Sequence, residues 1–184
     1  MPQHKPEITL PDNWKAFLAE VDKALEEKFT LRCLGGFVLA ALYGLPRPTG
    51  DVDYVEITPL DRERDLIAVA GQDSKLAKKY KLFIHRTGIA HYPYEFESRM
   101  IKLELDLQKL EMFLLGPYDL VLSKLCSDRP KDEEDAKFLI RKEALKWEDL
   151  SRIWESEMKS LVPPRHTTTI KLAQEYFLGE GTSN

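Results

Sequence analysis

The stretch "LRCLGGFVLAALYGLPRPTGDVDYVEI", Leu31 to Ile57, decides how this chain is read. "TLRCL" is β-prone and stops at Gly35-Gly36, the pattern of a short strand entering a tight turn. "FVLAALYGL" is almost wholly apolar, which predicts a short buried helix, and "PRPTG" breaks it. "DVDYVEI" alternates, with Val52, Tyr54 and Ile57 set against Asp51, Asp53 and Glu56. That period predicts a strand with one apolar face.

The order of these pieces carries chemistry. Residues two apart on a strand project to the same face, so Asp51 and Asp53 present their carboxylates side by side. Two negative groups that close repel unless a cation lies between them. Mg²⁺, or Mn²⁺ in its place, suits such a pair, because it takes oxygen ligands and is commonly held by one or two carboxylates plus substrate phosphates. A glycine pair removes the Cβ atoms that keep an anion away from main-chain N–H groups. A helix starting there adds a partial positive charge at its N-terminus. A metal beside a phosphate cradle is the minimum apparatus for nucleotidyl transfer. Taken singly, a glycine pair marks a turn and an Asp-x-Asp marks a solvated strand edge; the combination in this order is what points to a site.

Outward from this stretch the chain reads as strands first and helices last. "PDNWKAFLAEVDKALEEKF" has Trp14, Phe17, Leu18, Val21 and Leu25 at helical spacing, with Asp12 or Asn13 as its cap. "PLDRERDLIAVAGQDSKLAKKYKL" reads as two helices divided near Gly71, and "FIHRTGIAHYP" as one or two short strands. "KLELDL" alternates and "LEMFLLG" is apolar, which predicts a hairpin. Three helices follow, in "PYDLVLSKL" with Pro117 in its first turn, in "RPKDEEDAKFLIRKEAL" and in "KWEDLSRIWESEMKSL". The second is acidic at its start and basic at its end, as the helix dipole favours. "PPRHTTT" reads as a turn and a threonine cap for a last helix. The expectation is an α+β chain: a small mixed β-sheet core with packed helices over 1–116, and a C-terminal helical lobe over 117–184 packed on it.

With 184 residues the chain can bury one core of ordinary size. Its net charge of -4 argues against a broad basic surface for duplex DNA. "KLAKKYKLFIHR" nevertheless gathers Lys75, Lys78, Lys79, Lys81, His85 and Arg86, with Tyr80 and Phe83 between them; this is either a solvated helix face or a local RNA-backbone contact. Cys33 and Cys126 lack metal-type spacing and read as reduced core thiols. No apolar run reaches the length of a membrane span and the N-terminus lacks a signal-peptide layout, so the expected setting is cytoplasmic, away from the membrane.

Two segments also carry a resemblance. "LGGFVLAALYGLPRPTGDVDYVEI" resembles the N-terminal signature of the DNA polymerase beta-type nucleotidyltransferase superfamily, in which Gly-Gly or Gly-Ser is followed by Asp-x-Asp. "GPYDLVLSKLCSDRPKDEEDAKFL" resembles the C-terminal signature of its AbiEii/MenT-like bacterial branch. The resemblance implies that Gly35 and Gly36 face a nucleoside triphosphate, and that Arg47 and Thr49 position phosphates or brace the turn. It implies that Asp51 and Asp53 hold the metal. Lys124 would be a phosphate or transition-state contact in a cleft shared with these residues. Asp132 or Asp135 would be a late acid, either a base or a group orienting Lys124. It further implies an acceptor such as RNA, a tRNA end for instance, and a toxin paired with an antitoxin protein.

The superfamily uses a third carboxylate on a later strand, and the strand candidate "GIAHYP" has none. His91, Glu95, Glu97, Glu104 and Asp106 lie near it in sequence. His91 fits a base near neutral pH, and it also fits a partly exposed strand histidine. Two readings therefore stand: a metal-dependent nucleotidyltransferase, or a catalytically inactive nucleotide- or partner-binding module on the same fold.

Overall fold

The computed structural model describes residues 10–46, 49–88, 90–127 and 129–179. The order is α1 (Asp12–Ala24), β1 (Phe29–Leu34), α2 (Gly36–Tyr43), β2 (Asp51–Thr58), a 3-10 turn at Leu60–Arg62, α3 (Glu63–Ala70), α4 (Lys75–Tyr80) and β3 (Phe83–Arg86). A 3-10 turn at Phe96–Arg99 precedes β4 (Ile101–Lys102) and β5 (Leu110–Leu114). The rest is helical: α5 (Pro117–Leu125), α6 (Pro130–Lys142), α7 (Trp147–Ile153) continued by a π-helical turn at Trp154–Met158, and α8 (Arg165–Gly179). The α+β class read from the sequence holds. Contacts divide the chain into two compact units. The first takes the described residues up to Gly88 and Met100–Leu115; the second takes the segment ending at Arg99 and the residues from Gly116 onward.

The first unit is a five-stranded mixed sheet in the order β3-β2-β1-β5-β4, with helices packed on it. β1 lies antiparallel to β2 and parallel to β5, and β3 lies parallel to β2. Val52, Tyr54 and Ile57 are buried, yet strict alternation would send Ile57 to the face of Asp51 and Asp53. A bulge resolves this: Arg32 pairs with Glu56 and Cys33 with Tyr54, so Val55 is the extra residue. α1 buries Trp14, Phe17, Leu18 and Val21, with Trp14 against Phe37 and Phe17 against Tyr80. α2 is apolar on every side and almost wholly enclosed, as such a helix must be. Burying each of its larger side chains is worth about 1.5–3 kcal/mol.

Four local expectations need correction. The cap of α1 is Pro11, with no side-chain cap bond, and Asp12 lies inside the first turn. The hairpin expected from "KLELDL" and "LEMFLLG" is present, with β4 antiparallel to β5, but it is short: of "KLELDL" only Lys102 lies in β4, and one further ladder bond runs from Leu103 N–H to the Met112 carbonyl. Beyond Leu103 the backbone is drawn elsewhere: Asp22 of α1 accepts hydrogen bonds from the N–H groups of Gln108, Lys109 and Leu110. The described part of "GIAHYP" is not strand. Finally, α8 begins at Arg165, so Thr167 lies within the helix and is not its cap.

In the second unit, Arg99 fastens the segment before β4 to the helices. Its guanidinium donates to both oxygens of Asp119 on α5, which is fully buried, and to both oxygens of Glu157. Burial pushes the Asp119 carboxyl above its ordinary range, against the pull of Arg99. Cys33 and Cys126 are buried and free, and burial pushes both thiols up, Cys126 to about 12. Among the described residues, no helix is long and apolar enough to cross a membrane.

Candidate functional site

The turn from β1 into α2 is built around Gly35. Its φ of 85° and ψ of -160° lie in a region open essentially to glycine alone. A Cβ there would also overlap the Asp53 carboxylate. The chain thus keeps Gly35 for two reasons, its backbone shape and the approach of an acid to the bare main chain. Gly36 opens α2 and lies beside Thr49, which a Cβ on Gly36 would meet at 3.5 Å.

β2 carries the acids. Antiparallel pairing sets Asp53 opposite Leu34, the residue just before the glycine pair. The Thr49 hydroxyl donates to Asp51 Oδ1 at 2.9 Å, fixing that carboxylate at the start of the strand. Asp51 and Asp53 are both half-buried, so they sit at the surface without being fully hydrated.

β3 adds a residue that the sequence reading placed in a basic run. Register pairs Asp51 with Phe83 and Asp53 with His85. Parallel neighbours at one register position face the same side of a sheet, and His85 Nε2 lies 3.2 Å from Asp53 Oδ1. One ligand atom from each of Asp51, Asp53 and His85 can be chosen so that all lie within 4.8 Å of one another. This donor set fits a divalent cation: two hard carboxylate oxygens and one imidazole nitrogen, partly open to solvent.

The opposite face of these strands is braced. Tyr54, next to Asp53, donates its hydroxyl to Glu63 Oε1 at 2.5 Å, and Arg86, next to His85, donates to the same oxygen at 2.7 Å. Burial pushes the Glu63 carboxyl up, but these two bonds outweigh it and hold it below its usual range. Glu63 on α3 therefore ties the end of β3 to β2.

The structure thus brings together Gly35, Gly36, Thr49, Asp51 and Asp53. Arg47 lies outside the described residues. Lys124, Asp132 and Asp135 meet one another within the second unit. Lys124 Nζ donates to Asp132 Oδ1 at 2.5 Å and to Asp135 Oδ2 at 2.9 Å, and all three side chains are buried. Ser127 and Arg129 also donate to Asp132. Burial raises the Asp132 pKa, but the bonds from Lys124 and Ser127 outweigh it and leave the carboxyl below the ordinary range. In the same unit, His91 lies off any strand, with its ring 5.4 Å from that of His166.

The basic run of "KLAKKYKLFIHR" is partly neutralised within its own unit. Lys79 pairs with Glu20 and Arg86 with Glu63, and the His85 ring lies beside Asp53. The sequence reading places His85 in this run and not beside Asp51 and Asp53, where the structure sets it. The signal was present in "FIHR", where Phe83 and His85 share one face while Ile84 is core, but which strand lies beside β2 is not written in that segment.

A family model described as a nucleotidyltransferase of unknown function (DUF6036) matches residues 15–177. No curated protein and no solved structure matches the chain.

Proposed function

The chain belongs to this nucleotidyltransferase family, and from that premise we propose that it moves a nucleoside monophosphate from an NTP to an acceptor hydroxyl, with Mg²⁺ or Mn²⁺ held by Asp51 and Asp53. The acceptor oxygen bonds to the α-phosphorus, the bond from that phosphorus to its bridging oxygen breaks, and pyrophosphate leaves; the acceptor proton passes to solvent. The observation that supports this reading is the meeting of Gly35, Asp51 and Asp53 at one corner of the sheet. Asp51 and Asp53 would hold a divalent cation there, and it would supply charge stabilisation to the transferring phosphate and the leaving group. Thr49 orients Asp51, and the bare main chain at Gly35-Gly36, where α2 begins, receives the polyphosphate. Arg47 is proposed as a phosphate contact from the resemblance of the loop that holds it.

For the acceptor we propose RNA, a tRNA end in the first instance, and for the setting a toxin held by an antitoxin protein. The support is the resemblance of residues 116–139 to the AbiEii/MenT-like branch. In that segment the buried ion group favours the orienting role for Asp132 and Asp135, which fix Lys124 as the phosphate contact, over a role as base. One observation favours the second reading, a nucleotide-binding module without turnover: the position paired with Asp53 is His85 and not a carboxylate.

Incubation of radiolabelled NTPs with total RNA and either cation separates the two. Label that enters RNA and is lost in Asp51→Ala supports the transferase. Nucleotide binding with no label in RNA, protein or small-molecule fractions supports the module.

A further inference from the structure

We propose that His85 completes the cation site as its third ligand, through Nε2, and that the resulting oxygen–nitrogen set prefers first-row transition cations such as Mn²⁺ to Mg²⁺. The inference rests on the reading of Asp51 and Asp53 as a cation site.

Three observations carry it. Register puts His85 beside Asp53 on a parallel neighbour, so the two side chains leave the sheet on one face. Nε2 is the ring nitrogen turned to the acids, 3.2 Å from Asp53 Oδ1, whereas Nδ1 is enclosed with no hydrogen-bond partner. The His85 side chain keeps 42% of its exposure, so the donor is reachable from solvent. Ligands on adjacent corners of an octahedral ion with bonds of about 2.1 Å lie about 3 Å apart, and side-chain rotation can bring donors now within 4.8 Å to that spacing.

The chemistry then sets the preference. Mg²⁺ holds to oxygen donors and dehydrates reluctantly, so a nitrogen in place of a third carboxylate gains it little. Imidazole suits later first-row ions, and affinity rises along the series from Mn²⁺. Mn²⁺ keeps the taste for oxygen that two carboxylates and a triphosphate satisfy, and it also takes the nitrogen. His85 thereby stands where an all-carboxylate site would have a third acid, and it lowers the negative charge of the set by one.

The test is Mn²⁺ binding to the intact protein, followed by electron paramagnetic resonance with Mg²⁺ as competitor. Wild type should bind Mn²⁺ in preference to Mg²⁺ and show ¹⁴N modulation of the bound Mn²⁺ electron spin echo. His85→Ala should lose the modulation and weaken Mn²⁺ binding about tenfold or more. His85→Asp should lose the modulation and shift the preference toward Mg²⁺, and Asp53→Asn should abolish binding of either ion. Should Mn²⁺ bind wild type without ¹⁴N modulation, or His85→Ala keep full affinity, the ligand assignment is overturned even if nucleotide transfer is intact. Should the modulation appear and vanish with His85 while no nucleotide is ever transferred, the assignment holds and the transferase reading fails.

Discussion

Two groups of acids in this molecule are built from the same side chains to opposite ends. In the second unit, Asp132 and Asp135 enclose Lys124, and their side chains are 0% and 4% exposed. In the first, Asp51 and Asp53 stand on β2 beside a glycine turn, and the Asp53 side chain keeps 22% of its exposure. The buried group carries its own permanent cation, and desolvated charges survive only when so paired. The partners of the β2 group include the Thr49 hydroxyl and the His85 imidazole, and the group lies beside the Gly35 turn. A carboxylate pair that encloses a lysine balances its charge inside the fold, whereas the pair at the surface beside bare main chain is the one proposed to take up a cation from solution.

The largest expected effect breaks the buried group. Lys124→Met removes the cation shared by two enclosed carboxylates, leaving Asp132 with Arg129 and Ser127, and should cost about 3–5 kcal/mol of stability, read by denaturant unfolding. The depressed Asp132 pKa fixes the sign of the pH effect. Its stabilisation is complete above the ordinary aspartate value of about 3.9 and is lost as pH falls through the lower folded value. The Asp132 contribution should therefore be lost only in acid, below about pH 4, and Lys124→Met should lose the part of it that Lys124 supplies, leaving the part from Ser127 and Arg129.

Next comes the β2 pair. Asp53→Asn or Asp51→Asn removes a proposed cation ligand, which in that role is worth several kcal/mol in the transition state. Transfer should fall about 10²–10³-fold while the denaturation midpoint hardly moves. Large activity loss without unfolding here, against unfolding at Lys124, is the sharpest form of the contrast.

Asp22 tests whether exposure or partnership draws the line. It shares the unit of Asp51 and Asp53, but it is 7% exposed and spends its carboxylate on three backbone N–H groups. Asp22→Asn should cost about 1–3 kcal/mol in denaturant and leave nucleotide transfer by the folded fraction unchanged. The smallest effect is expected at Thr49→Val, which removes only the hydroxyl that orients Asp51. Metal affinity in a direct titration should fall about tenfold, with the fold intact.

Much of this was legible in the residues, and the gaps have physical causes. Gly35-Gly36, the apolar helix and the alternation around Asp51 and Asp53 are local patterns, so period and turn chemistry sufficed for β1, α2 and β2. The bulge at Val55 showed only as an Ile57 out of phase. The pairing of Asp53 with His85 was not legible, because register between strands separated by two helices is set by packing. "KLELDL" forms less strand than its alternation predicts, and Asp22, distant in sequence, holds the amides of Gln108, Lys109 and Leu110 between that segment and the body of β5. Lys124 could be named from its motif, but its enclosure by Asp132 and Asp135 depends on how α5 packs against α6.

The most direct measurement is a crystal grown with Mn²⁺ and a non-hydrolysable NTP analogue, with Mn²⁺ located by its anomalous signal. One peak is expected, bonded to Asp51 and Asp53, with the triphosphate lying against the Gly35-Gly36 turn. A nucleotide bound elsewhere, or an anomalous peak away from β2, would contradict it.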